Sequence, residues 1–122
     1  MSVRSVMIKK TKSASFERNI SDQTINNKSG GLDRVLEIIN RLMDVEHGCP
    51  WDIIQTNESL VKHTIEEAYE LADSIETNSP QETCKELGDL LFNILFHIHV
   101  ADKKNLFSFD DVIEQTVQKM VS

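Results

Sequence analysis

Between Ile65 and Asp89 the chain carries Glu66-Glu67-Ala68-Tyr69-Glu70, a break at Asn78-Ser79-Pro80, and then Glu86-Leu87-Gly88-Asp89. Apolar residues recur at three- and four-residue steps on both sides of that break, which predicts two helices joined by a short turn. A turn this short makes them antiparallel neighbours. Residues three apart on a helix share a face, with Cβ atoms about 5–6 Å apart. Glu-x-x-Glu on one helix and Glu-x-x-Asp on the next can therefore aim four carboxylates at one point. Unneutralised, they repel strongly unless a cation sits among them. An all-oxygen ligand set favours a hard cation, Mg²⁺ first and Mn²⁺ next.

The remaining pattern is helical throughout. Leu32 to Glu46 repeats apolar residues at Leu32, Val35, Leu36, Ile39, Leu42 and Met43, and stops at His47-Gly48-Cys49-Pro50. Trp51 and Asp52 are expected in a loop reaching to Thr56. A second helix runs from near Asn57 to about Thr77, with an expected core stripe of Leu60, Val61, Ile65, Ala68, Leu71, Ala72 and Ile75. Glu67 borders that stripe, and Glu66 and Glu70 fall on the polar side. The third helix starts at Pro80, with Ser79 and Glu82 forming an expected capping box. Its main stripe is Cys84, Leu87, Leu91, Ile94, Leu95 and Ile98, flanked by Leu90. Its opposite side mixes Glu86, Asp89, Asn93 and His97 with Phe92, Phe96 and Val100. A helix apolar on two sides is buried on two sides: one meets its own domain, the other a second subunit or a ligand. Ser108 and Asp111 cap a fourth helix that runs to the chain end. No strand-like alternation of useful length occurs. The expected body is an all-α four-helix bundle over 32–122, completed by dimerisation because so small a core is marginal alone.

Residues 1–31 read differently. The first thirty carry six Lys/Arg against Glu17 and Asp22, whereas the rest of the chain is strongly acidic and brings the net charge to −7. Mixed Ser, Thr, Asn and Lys ending in Asn-Asn-Lys-Ser-Gly-Gly predict a disordered basic tail and linker. An organelle transit peptide and a tail lying on the acidic body are the competing expectations. The acidic body argues against nucleic acid, which needs a basic face. No apolar run approaches the ~20 residues that cross a bilayer. Two cysteines are too few for a disulfide framework and suggest a cytoplasmic setting. His97 and His99 face different ways on a helix, and His47 with Cys49 lacks a second ligand pair, so no zinc site is expected.

Several ordered pieces resemble one known family. They are Gly48-Cys49-Pro50-Trp51-Asp52 with Gln55-Thr56, then Glu66-Glu67-Ala68-Tyr69-Glu70, then Glu86-Leu87-Gly88-Asp89-Leu90-Leu91, then Phe107-x-Phe109-Asp110-Asp111-Val112. The chain is similar to the MazG-type nucleoside triphosphate pyrophosphohydrolases, within the all-α NTP pyrophosphatase superfamily, over most of 32–121. The resemblance implies Mg²⁺-dependent hydrolysis of a nucleoside triphosphate to monophosphate and pyrophosphate by a helical dimer or higher oligomer. It places Glu67, Glu70, Glu86 and Asp89 on the metal, with Glu66 the further acid beside them. The family usually continues into a basic His-Pro-His segment, while this sequence ends at Ser122; weaker triphosphate contacts are the resulting expectation.

Metal held by these acids would offset phosphate charge and lower the pKa of a coordinated water. Glu66 or Glu67 orients or deprotonates the attacking water, and the sequence does not choose between them. Lys62 and Lys85 are candidate phosphate contacts, weighed against surface ion pairs. Trp51 is a candidate base stack or a loop anchor. Asn93 and Phe96 are candidate walls of a base pocket, against ordinary helix polarity and dimer packing. Relatives acting on dUTP, dCTP or phosphoribosyl-ATP, and a helical interaction module that keeps the acids without turnover, are the alternative readings.

Overall fold

The computed structural model describes residues 23–122, and every regular element in that span is helical. In chain order these are α1 (Gln23–Asn26), α2 (Leu32–Leu42), α3 (Pro50–Ile53), α4 (Asn57–Glu76), α5 (Pro80–Lys103) and α6 (Phe109–Val121). The four long helices match the expected bundle. Most of the expected tail, residues 1–22, lies outside the described residues. Its last part is ordered earlier than the boundary at 32 suggests: α1 packs on α2, Ile25 is buried, and Arg34 Nε donates to the Ile25 carbonyl at 2.7 Å.

Helix α2 ends at Leu42, short of the expected Glu46, for a local reason. The Asp44 carboxylate accepts the N–H groups of Glu46 and His47 at 2.8 and 3.0 Å, which turns the chain. Gly48 and Cys49 then donate back to the carbonyls of Asp44 and Leu42 at 2.8 and 2.7 Å. A Cβ at Gly48 would lie 2.2 Å from the Leu42 carbonyl oxygen, so only glycine closes this turn. The next residues form the short helix α3 rather than the expected open loop, with Pro50 at its first position. Asp52 is fully enclosed there, and burial pushes its carboxyl up to about 7, with the Cys49 thiol beside it pulling the other way.

Caps set the hairpin. Thr56 and Ser59 exchange hydrogen bonds at the start of α4, and Ser108 and Asp111 do so at the start of α6, as expected for the latter. The Ser79–Glu82 box expected for α5 is absent, because Ser79 is used in ending α4. Its N–H reaches the Ser74 carbonyl and that of Asn78 reaches Ile75, with Asn78 at φ 55°. This is a Schellman motif with asparagine in the left-handed position. Asn105 closes α5 in the same way, at φ 59°.

Helix α5 is the central element, packed along α4 and touched by α2 and α6. The core comprises Ile39, Leu42, Met43, Cys49, Leu60, Phe92, Leu95, Phe96, Ile98 and Val100. The stripes expected to face inward are reversed over much of the hairpin. Val61, Ile65 and Ile75 on α4, and Leu87, Leu91 and Ile94 on α5, are exposed. The side of α5 carrying Glu86, Asp89, Phe92, Asn93, Phe96 and Val100 is the buried one. No helix among the described residues is long and apolar enough to cross a membrane.

Candidate metal centre

The seam between α4 and α5 is polar for most of its length. On α4 the buried positions recur every seven residues, at Leu60, Glu67 and Ser74. Two of the three are polar. Going down the antiparallel pair, Ser74 Oγ lies 3.1 Å from Thr83 Oγ1, and the Glu70, Glu67 and Glu86 carboxylates follow. Next, Thr64 Oγ1 donates to Asn93 Oδ1 at 2.7 Å and lies 2.7 Å from His97 Nε2. Asn57 Nδ2 ends the series at 3.0 Å from both the carbonyl oxygen and Nδ1 of His97. Burial lowers the His97 pKa, which keeps the ring neutral and able to accept on one nitrogen while donating from the other.

Glu67, Glu70 and Glu86 each bring a carboxylate oxygen within 4.8 Å of the others. Asp89 stands one turn beyond Glu86, 6% exposed and outside this tight trio. Two ionised carboxylates at such a separation repel by about 3 kcal/mol at an effective dielectric constant near 20. Against a total domain stability of about 5–15 kcal/mol, that repulsion calls for a proton or a cation. Burial, together with the Glu70 and Asp89 carboxylates, pushes Glu86 up to about 7, while Lys85 at 3.9 Å pulls it back. Glu86 Oε2 and Asp89 Oδ2 are buried and accept no hydrogen bond. Orphaned acceptors in an all-oxygen set are what a hard divalent cation would satisfy, so the residues present fit a metal ion.

The other expected residues are distributed unevenly. Glu66 is exposed and faces His63 at 3.8 Å, away from the trio. Lys62 is exposed on α4. Lys85 lines a cavity of about 270 Å³ with Gly88, Asp89, Val35, Ile38 and Phe92, which places it beside the acids. Trp51 is half-buried and meets His63 edge-on, ring centroids 6.0 Å apart, as a loop anchor does. Phe96 is fully enclosed in the core against Phe92 at 6.2 Å, so it has no surface with which to wall a base pocket. Asn93 is buried and next to the acids, on the same face of α5. Reading the sequence for carboxylates alone passes over Asn57 and Thr64 and gives His97, on the acidic face of α5, no partner. Their signal is polar residues at helical steps along one face, Asn57 and Thr64 seven apart on α4 and Asn93 and His97 four apart on α5.

Residues 55–122 match the MazG nucleotide pyrophosphohydrolase domain family. The chain is 39% identical over 89 residues to the nucleoside triphosphate pyrophosphohydrolase of Escherichia coli, covering 73% of this chain and 34% of that protein. It is 36% identical over 96 residues to the nucleoside triphosphate pyrophosphohydrolase/pyrophosphatase MazG of Thermotoga maritima, covering 77% and 37%. The corresponding protein of Mycobacterium tuberculosis is 32% identical over 90 residues, covering 72% and 28%. The chain thus spans about a third of the length of these curated relatives. With the helical hairpin and its acidic seam in place, the chain belongs to the MazG nucleotide pyrophosphohydrolase domain family.

Proposed function

We propose that this chain hydrolyses nucleoside triphosphates to the monophosphate and pyrophosphate with Mg²⁺, or Mn²⁺ in its place. The observation that carries the reading is the meeting of Glu67, Glu70 and Glu86 within 4.8 Å, beside relatives from Escherichia coli and Thermotoga maritima that bear that activity in their names. Glu67, Glu70, Glu86 and Asp89 hold the ion. When bound, it offsets phosphate charge and makes water more acidic. Glu67, enclosed in the seam, orients the attacking water; Glu66, turned outward to His63, does not. The water oxygen bonds to the α-phosphorus as the bond to the bridging oxygen breaks. Pyrophosphate leaves with that electron pair, and the water's proton passes to Glu67. Lys85 meets the leaving phosphates. Cys49 and Cys84 form no disulfide, which agrees with a reducing, cytoplasmic setting.

The test is incubation with Mg²⁺ and each common NTP and dNTP, with phosphoribosyl-ATP included. Equal amounts of monophosphate and pyrophosphate are expected from at least one. Neither product from any substrate overturns the reading.

The working unit is a homodimer built on the hairpin's outer face. Val61, Ile65, Ala68, Ala72 and Ile75 on α4, and Cys84, Leu87, Leu91 and Ile94 on α5, follow alternating three- and four-residue steps, and most are exposed. That is a knobs-into-holes pattern without its partner. Gly88 agrees: a glycine inside a helix costs about 1 kcal/mol relative to alanine, yet no neighbouring element lies within 4 Å of its missing Cβ. Leu91→Glu is expected to halve the mass seen by sedimentation equilibrium; an unchanged mass contradicts this interface.

A further inference from the structure

One buried donor in the seam has no acceptor. Asn93 is 1% exposed, its Oδ1 accepts from Thr64, and its Nδ2 has no hydrogen-bond partner. A buried N–H left without an acceptor is destabilising, and a water or ligand oxygen relieves it. Asn93 lies one turn from Asp89 on α5, and Thr64, which holds it, lies one turn from Glu67 on α4. The orphaned donor is thus carried on the same face of α5, one turn from Asp89 and two from Glu86, whose Oδ2 and Oε2 are orphaned acceptors.

The direction of the amide is set from the far end of the seam. A backbone carbonyl only accepts, so the contact of Asn57 with the His97 carbonyl at 3.0 Å identifies the Asn57 NH₂ as the donor there. The same NH₂ lies 3.0 Å from His97 Nδ1, which makes Nδ1 the acceptor and leaves the proton on Nε2. His97 Nε2–H then donates to Thr64 Oγ1 at 2.7 Å. The Thr64 hydroxyl spends its own proton on Asn93 Oδ1 at 2.7 Å, nearer than the Leu60 carbonyl at 3.0 Å. Each donor fixes the next, and the chain ends with the Asn93 NH₂ turned away from Thr64.

We infer that Asn93 is a catalytic residue whose NH₂ donates a hydrogen bond to the attacking water at the carboxylate site, and that Thr64, His97 and Asn57 are positioning residues that hold that NH₂ in place. The inference rests on the proposed hydrolysis and adds the group that aims the water. A carboxylate accepts the water's proton, and an amide donor fixes the direction of its lone pair. Both are needed to line an oxygen up with phosphorus. Removing an outer partner of this kind lowers activity by about 10–100-fold in well-ordered sites.

The test uses Thr64→Val, which keeps the shape of threonine and removes the hydroxyl. The expected result is a kcat about 10-fold lower with the KM for nucleotide unchanged, and recovery in Thr64→Ser. Asn57→Ala, at the partly exposed start of α4, leaves the core intact and is expected to show the same split at smaller size. A second readout is the side-chain NH₂ resonance of Asn93, identified by its loss in Asn93→Leu. Adding Mg²⁺ alone is expected to shift it in the wild type and in Thr64→Ser, and to leave it nearly still in Thr64→Val. Wild-type turnover in Thr64→Val, or an Asn93 resonance that ignores Mg²⁺ in the wild type, overturns the inference. If the wild type hydrolyses no nucleotide, the reading of function fails, and the resonance alone decides whether the amide faces the site.

Discussion

Replacing Glu86 with glutamine is expected to lower nucleotide hydrolysis by at least about 100-fold while making the metal-free protein more resistant to heat. The two effects have one cause. Glu86 is 7% exposed, its Oε2 accepts no hydrogen bond, and Glu70 and Asp89 surround it with negative charge. The glutamine side chain keeps the shape, removes one charge from a repelling group, and brings an N–H that can donate to a neighbouring carboxylate. The empty seam gains from this, and the ability to hold a divalent ion is lost. In the wild type, Mg²⁺ at about 100 times its dissociation constant adds about 2.7 kcal/mol, a rise in Tm on the order of 10 °C for a domain this small. Glu86→Gln should show little of that rise. Thermal melts with and without Mg²⁺, beside the hydrolysis assay, measure both. A variant that turns over like the wild type, or one that melts earlier without metal, contradicts the role given to Glu86.

Replacing Phe96 with alanine is expected to remove about 3–5 kcal/mol of stability, with no specific effect on KM in the protein that stays folded. Phe96 is completely enclosed, lies against Phe92 at 6.2 Å, and belongs to the cluster that joins α5 to α2. Truncation to alanine leaves a cavity in a close-packed cluster, and the surrounding helices relax into it only in part. Against a domain stability of about 5–15 kcal/mol, this loss leaves little margin. Urea titration should show the midpoint falling with an unchanged m-value. A normal midpoint with a raised KM would return Phe96 to the nucleotide pocket that its sequence position first suggests.

The helices were legible in the residue order because their signals are local. Ser108 with Asp111, Pro80, and the apolar steps of Leu32 to Leu42 each act within a turn or two. The ends were less so. The stop at Leu42 depends on the Asp44 side chain and on a backbone approach that only Gly48 permits, contacts that no periodicity encodes. The reversal of the hairpin's faces has a deeper cause. Hydrophobicity assigns Val61, Ile65, Leu87 and Leu91 to the interior, and it cannot say whose interior. One copy of the chain buries the polar seam and leaves these residues outside.

The spacing of the acids predicts their convergence, and Glu67, Glu70 and Glu86 meet because turn and register are both set by Asn78-Ser79-Pro80. Glu66 stands apart from the trio because one residue on a helix is a rotation of about 100°, enough to turn it toward His63. The pairing of Asn57 and Thr64 with His97 and Asn93 is not legible in the residue order, although His97 and Asn93 fall on the acidic face of their helix. These residues matter through partners 29 to 40 residues distant, and pairing at that range follows only once the hairpin register is known.

The proposed hydrolysis requires that the acids of α4 and α5 share one cation. Diffraction from crystals grown with Mn²⁺, collected at a wavelength where manganese scatters anomalously, locates the ion without reference to activity. The account predicts an anomalous peak in the α4–α5 seam touching oxygens of Glu67, Glu70, Glu86 and Asp89. A seam without manganese at saturating Mn²⁺, or a peak held by other residues, would contradict it.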